Sequence, residues 1–152
     1  MGRIRVTTTI DVPRARVWDD VKDIASHVQW MEDAVAIRFT SAKRAGVGTA
    51  FDCDTKVGPL RLTDKLEITE WKPRRVMGIR HVGFVTGTGR FTLSRRRRGR
   101  TRFTWEERLT FPWWMGGPVG AEVGGAVLRL IWKRNLRNLK HRLEAPSASA
   151  AE

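Results

Sequence analysis

Between Thr110 and Gly120 the chain reads TFPWWMGGPVG, and the spacing of apolar residues differs on its two sides. Upstream, in RTRFTWEERLTF, Phe103, Trp105, Leu109 and Phe111 share one face at period two, the mark of a strand with one buried side. Downstream, VGAEVGGAVLRLIWKRNLRNLKHRLE carries Val123, Val127 and Leu130 or Ile131, with Leu128, Trp132, Leu136, Leu139 and Leu143, at helical spacing. Together they make the broad apolar stripe of one long amphipathic helix. Pro118 suits its first turn, whereas Gly120, Gly124 and Gly125 each weaken it by about 1 kcal/mol relative to Ala. The link between strand and helix holds Phe111, Trp113, Trp114 and Met115, more apolar surface than a connection needs. Two readings fit it: a gate at the mouth of a cavity, with glycines that let it open, or a plug at the end of the core.

Working outward, the stretch from Ala34 to Phe111 is mostly period two, cut by the turn signals KRAGVG, KVGP, WKPRR, HVG and RRRRGR. This predicts about six consecutive antiparallel strands. At the start, RIRVTTTIDV alternates with Ile4, Val6, Thr8 and Ile10 on one face, a further strand ending at Asp11. Asp11 is placed to cap a helix entered through Pro13, and Val17, Val21, Ile24 and Val28 recur at helical spacing. One bent helix, or two short ones breaking near Asp23, is expected there. After Leu143 the residues are small and polar, so residues 1–144 are expected to form one domain and 145–152 a disordered tail.

The 152 residues suffice for one domain with a sizeable core. Cys53, the single cysteine, excludes an internal disulfide framework, and no Cys or His stands near it at metal-ligand spacing. No metal and no cofactor are expected. Nor is there an apolar run long enough to span a bilayer or an N-terminal secretion signal, so a soluble, cytoplasmic protein is expected. The net charge of +13 is local. Residues 1–71 hold 11 basic and 11 acidic side chains, whereas residues 72–108 hold 12 basic and two acidic.

The string TTTIDVPRARVWDDVKDIASHVQWM resembles the opening of the START-like, SRPBCC superfamily, which includes the polyketide cyclase/dehydrase and birch-pollen-allergen groups. GVGTAF, EWKPRRVM, GTGRFTL, RTRFTWEERL and WKRNLRNLKHRLE continue the pattern in order. The resemblance implies an α+β helix-grip fold: a seven-stranded curved antiparallel sheet wrapped around the long C-terminal helix, with short helices between strands 1 and 2. It also implies a deep cavity between sheet and helix that binds apolar or amphipathic molecules.

Strand parity nominates the side chains that would line such a cavity. They are Phe51 and Cys53 on one strand, Leu62 and Asp64 on the next, then Met77, Ile79 and His81, then Phe91, and finally Trp105 and Glu107. Trp113, Trp114, Val123 and Val127 would complete the wall from the link and the helix. Three ionisable groups on apolar faces stand out. A buried carboxylate is costly unless paired or protonated, so Glu107 needs a partner such as His81 or an arginine, or a polar group of a ligand. Glu107, Asp64 and His81 are therefore the candidate acid–base residues, although each can equally be a hydrogen-bonded core group. Cys53 reads as a small core residue. The glycines of GFVTGTG are followed by a strand, which excludes a phosphate loop and suggests a sharp bend of the sheet.

Arg95, Arg96, Arg97, Arg98 and Arg100 form the densest basic run. A solvated hairpin turn accounts for part of it. As a functional surface it would contact an anionic membrane while the Trp-rich link dips into the interface. Aromatics are not interleaved with these arginines as stacking platforms are, which speaks against nucleic acid. Three functions follow: a carrier or sensor of a lipid, polyketide or isoprenoid-like molecule; a cyclase/aromatase using Glu107, Asp64 or His81 to move protons; and an interaction protein acting through the basic run.

Overall fold

The computed structural model describes residues 2–146; residues 147–152 of the expected tail lie outside the described residues. Strand β1 (Gly2–Ile10) leads into helix α1 (Arg14–Val21) and a 3-10 segment (Ile24–Gln29). A six-strand meander follows: β2 (Ala34–Phe39), β3 (Ala50–Val57), β4 (Leu60–Lys72), β5 (Val76–Val82), β6 (Thr86–Arg96) and β7 (Arg100–Thr110). A short 3-10 turn (Trp113–Met115) then opens into α2 (Gly117–Glu144). The sheet order is β1-β7-β6-β5-β4-β3-β2, every pair antiparallel.

The expected cap at Asp11 does not form. The N-cap is Pro13, in extended conformation and without a side-chain hydrogen bond, while the Asp11 backbone N–H donates to Glu144 Oε2 at 2.8 Å and so ties β1 to the end of α2. The helical stretch after Pro13 is two short pieces, separated where Asp23 turns extended. One face of the sheet supplies Ile4, Val6, Ile10, Leu66, Ile68, Met77, Phe91, Leu93, Phe103, Trp105 and Leu109 to the core. Trp132, Leu136, Leu139 and Leu143 of α2 close over them, with Val17, Trp18, Val21, Ile24 and Trp30 sealing one flank.

Because the strands form a meander, successive turns alternate between the two ends of the sheet. The β3–β4 turn, the β5–β6 turn and the start of α2 share one end. The β4–β5 and β6–β7 turns and the start of α1 share the other. Strand β6 alone, 11 residues long, separates the ends by about 35 Å. Among the described residues no helix is long and apolar enough to cross a membrane.

Candidate functional site

Only the second half of α2 packs tightly on the sheet. Its first half stands off, and a cavity of about 290 Å³ lies beneath it. The wall is mostly apolar and includes Phe51, Leu62, Met77, Ile79, Phe91 and Trp105 from the sheet, with Gly120, Gly124, Val127 and Leu128 from the helix. Leu60 and Val127 belong to this wall and are 40% and 39% exposed, so the cavity reaches the surface beside the β3–β4 turn. Its inner end is aromatic: the Trp105 and Trp132 rings stack with centroids 4.4 Å apart, and Trp30 and Phe91 stand edge-on to Trp105.

The polar groups of the wall converge. His81 Nε2 lies 2.5 Å from Glu107 Oε1, and the Trp105 indole N–H donates to Glu107 Oε2 at 3.0 Å. Glu107 is on β7 and His81 on β5, with β6 between them. The register explains how they touch: Gly89 stands opposite both Ile79 and Glu107, and Gly87 stands between His81 and Leu109. Two residues without side chains leave a lane across β6. A Cβ built on Gly89 would lie 2.4 Å from Glu107 Cγ. The TGTG glycines thus have a second reason beyond bending: they admit a buried ion pair.

Burial opposes the charge on His81, but its hydrogen bond to Glu107 and the charges of Glu107 and Asp64 outweigh burial and raise its pKa above the ordinary 6.5. His81 Nδ1 is buried with no hydrogen-bond partner among the described residues. Asp64 accepts from the Thr55 hydroxyl at 3.0 Å; burial raises its pKa, with His81 and Thr55 pulling the other way. Cys53 also lines the cavity, and burial pushes its thiol up to about 12, so it is an unreactive wall residue.

Four polar wall residues escaped the sequence reading: Asp33, His27, Thr55 and Arg90. Asp33 accepts from Asn135 Nδ2 at 2.7 Å and from the Trp132 indole at 3.2 Å, while Asn135 Oδ1 accepts the Glu32 N–H at 2.9 Å. Burial raises the Asp33 pKa against these hydrogen bonds. This clamp fixes α2 to the chain before β2, at the boundary between packed helix and cavity. His27 is buried with Nε2 donating to the Val21 carbonyl at 2.7 Å, and burial lowers its pKa.

The link after β7 divides. Phe111 and Met115 line the cavity, whereas Trp113 and Trp114 are 85% and 52% exposed and lie outside its wall, as does Val123. Trp113 and Trp114 are therefore no plug of the core. Trp114 meets Phe84 of the β5–β6 turn edge-on, centroids 6.4 Å apart, so this contact bridges the molecule's surface beside the mouth. Arg95, Arg96, Arg97, Arg98 and Arg100 sit in the β6–β7 turn, at the opposite end of β6. An end-on approach that brings the Trp link to a surface points these arginines away from it, so the two features do not share a docking face.

Residues 1–144 match the family described as "Polyketide cyclase / dehydrase and lipid transport". The chain is similar in fold to the Zhui aromatase/cyclase from a Streptomyces species, at TM-score 0.78 and 16% identity, covering 94% of this chain and 93% of that one. A Thermus thermophilus protein aligns at TM-score 0.75 and 14% identity over 99% of this chain and 100% of its own. The two-domain aromatase/cyclase BexL aligns at TM-score 0.73 and 16% identity over 96% of this chain and 51% of its own. No curated protein sequence matches the chain.

Proposed function

The chain belongs to the polyketide cyclase/dehydrase and lipid transport family, and on that premise we propose that it binds a hydrophobic or amphipathic small molecule in the cavity under α2, as a carrier or sensor. The observation that carries this reading is the cavity itself: an apolar wall into which one buried pair, His81 and Glu107, is set. Pockets of this kind bury an apolar body and fix its orientation through a few polar contacts. The ligand is therefore a largely apolar molecule. The experiment is native mass spectrometry of freshly purified protein, followed by organic extraction. A stoichiometric apolar passenger is expected; an empty protein that also refuses lipids and aromatic polyketides would end the proposal.

A second reading, a cyclase or aromatase in the same cavity, draws on the same pair. A buried imidazole with a raised pKa, backed by a carboxylate and adjacent to Asp64, has the arrangement of a general acid–base group. Its test is kinetic: a Glu107→Gln variant that turns over the substrate as fast as the wild type removes the pair from the chemistry.

For access to a bilayer, we propose the apolar end of the molecule. Phe84, Trp113, Trp114, Val119 and Val123 are all more than half exposed there or on the adjoining turns of α2, and Trp is favoured at membrane interfaces. A Trp113→Ser/Trp114→Ser variant should lose co-sedimentation with phosphatidylcholine vesicles; undiminished binding would exclude this surface.

A further inference from the structure

The arginine-rich end has its own geometry. Arg95, Arg96, Arg97 and Arg100 line an open groove with Thr9. Arg100 Nε donates to the Arg97 carbonyl at 3.3 Å, which holds its guanidinium over the turn. The β4–β5 turn is fastened alongside, where the Leu93 N–H donates to the Arg75 carbonyl at 2.9 Å. Arg14 at the start of α1 completes the cluster, close enough that repulsion from Arg95, Arg75 and Arg74, after burial, lowers its pKa.

Three features separate this cluster from an ordinary solvated turn. Elsewhere on the sheet five arginines are paired, Arg3 and Arg5 with Glu106, Arg38 with Asp54, Arg80 with Glu67 and Arg90 with Glu70, and the three that are not paired among the described residues, Arg61, Arg102 and Arg108, stand on strands and not clustered at a turn. Among the described residues none of Arg14, Arg74, Arg75, Arg95, Arg96, Arg97, Arg98 or Arg100 has an ion-pair partner, and no Asp or Glu stands between Glu70 and Glu106 in the sequence. Second, Arg74 and Arg98 hold the left-handed positions of their turns, φ 65° and 63°, a conformation glycine or asparagine adopts more readily. Arginine stands where turn geometry disfavours it. Third, none of the exposed large apolar side chains belongs to these three segments, so nothing here is built to stack on a base or insert into a bilayer. What remains is a concave set of guanidiniums, whose forked N–H groups match phosphate oxygens.

We propose that this groove is a second ligand site, independent of the cavity, for an anion carrying several clustered phosphate groups. Arg95, Arg96, Arg97 and Arg100 grip it directly, and Arg14, Arg74 and Arg75 supply a second rank of charge. The same chemistry is offered by a free oligophosphate and by the crowded headgroups of phosphatidic acid.

Calorimetric titration with inorganic tripolyphosphate, and co-sedimentation with phosphatidylcholine vesicles with and without phosphatidic acid, separate the two sources. The R95S/R97S/R100S variant should lose about tenfold or more in affinity for whichever anion binds. The charge-matched control R129S/K133S/R134S on α2 should stay within about twofold, since it changes only the distant field. Binding of tripolyphosphate identifies a free oligophosphate; binding of phosphatidic acid vesicles alone identifies headgroups. An equal loss in both variants, no binding of either anion by the wild type, or capture of duplex DNA alone would overturn the proposal.

Discussion

The two halves of α2 turn different residues toward the sheet and meet opposite fates. Beyond Ile131, Trp132, Leu136, Leu139 and Leu143 are at most 5% exposed and pack on the sheet. Before it, the residues that line the cavity are Gly120, Gly124, Val127 and Leu128, so the helix roofs a cavity instead of filling a core, while Val119, Val123 and Leu130 are 74%, 60% and 63% exposed outside its wall. The change falls at the Asp33–Asn135–Trp132 clamp. A stripe of apolar residues specifies that a helix face meets something apolar. It does not say whether that is protein or ligand.

Truncations on either side of the clamp give the widest contrast. Leu139→Ala, at a site with no exposure, should cost about 3 kcal/mol in denaturant unfolding through transfer and cavity formation. Val123→Ala should stay within about 0.5 kcal/mol. Equal losses would mean that the first half of the helix is core after all. Removing the clamp comes next: Asn135→Ala strands the Glu32 N–H and deprives Asp33 of a donor, for a loss of about 1–3 kcal/mol by the same measurement. No loss would show that the clamp does not hold the boundary.

Gly124→Ala sharpens the comparison from the other side. A methyl group there meets nothing within 4 Å, so the helix should gain about 0.5–1 kcal/mol while the cavity wall moves inward. Thermal unfolding should show the gain, and weaker binding of bulky ligands the cost. A gain without any change in binding would place the ligand elsewhere.

The smallest effect is a dependence on pH. The folded-state pKa of His81 lies above the unfolded imidazole's 6.5, so its contribution to stability is complete below that value and is lost as pH rises through the folded pKa. Asp64, raised above 3.8 by burial, contributes in the same sense from a lower pH. Unfolding titrations between about pH 6 and pH 9 should therefore show the wild type losing its advantage over His81→Gln as pH rises. An advantage that grows with pH would reverse the assigned sign.

Periodicity made the elements legible: period two for the strands, three and four for α2, and a switch at TFPWWMGGPVG. Parity also put His81, Asp64 and Glu107 on the inner face. The meeting of His81 and Glu107 was legible only as one option beside an arginine or a ligand, because parity fixes the face of a residue and only register fixes its neighbours. Gly87 and Gly89 were the missing signal, two side-chain-free positions on the strand between two ionisable groups. Asp33 lies in a connection where no period applies; Asn135, polar on a buried helix stripe, was the hint that a partner existed. Asp11 looked like a cap because of its residue type, yet it stands three residues before Arg14 and its amide is held by Glu144. Trp113 and Trp114 read equally well as interior or surface, since apolar composition alone does not separate a core from a rim.

The most direct test of the account is hydrogen exchange along α2 with and without N-phenylnaphthylamine, a neutral apolar dye. The account predicts slowed exchange across Gly117–Leu130 when the dye is bound, with the segment from Trp132 to Glu144 already slow and unchanged. Dye binding that leaves Gly117–Leu130 exchanging as before, or that protects only the far half of the helix, would contradict a ligand site roofed by α2.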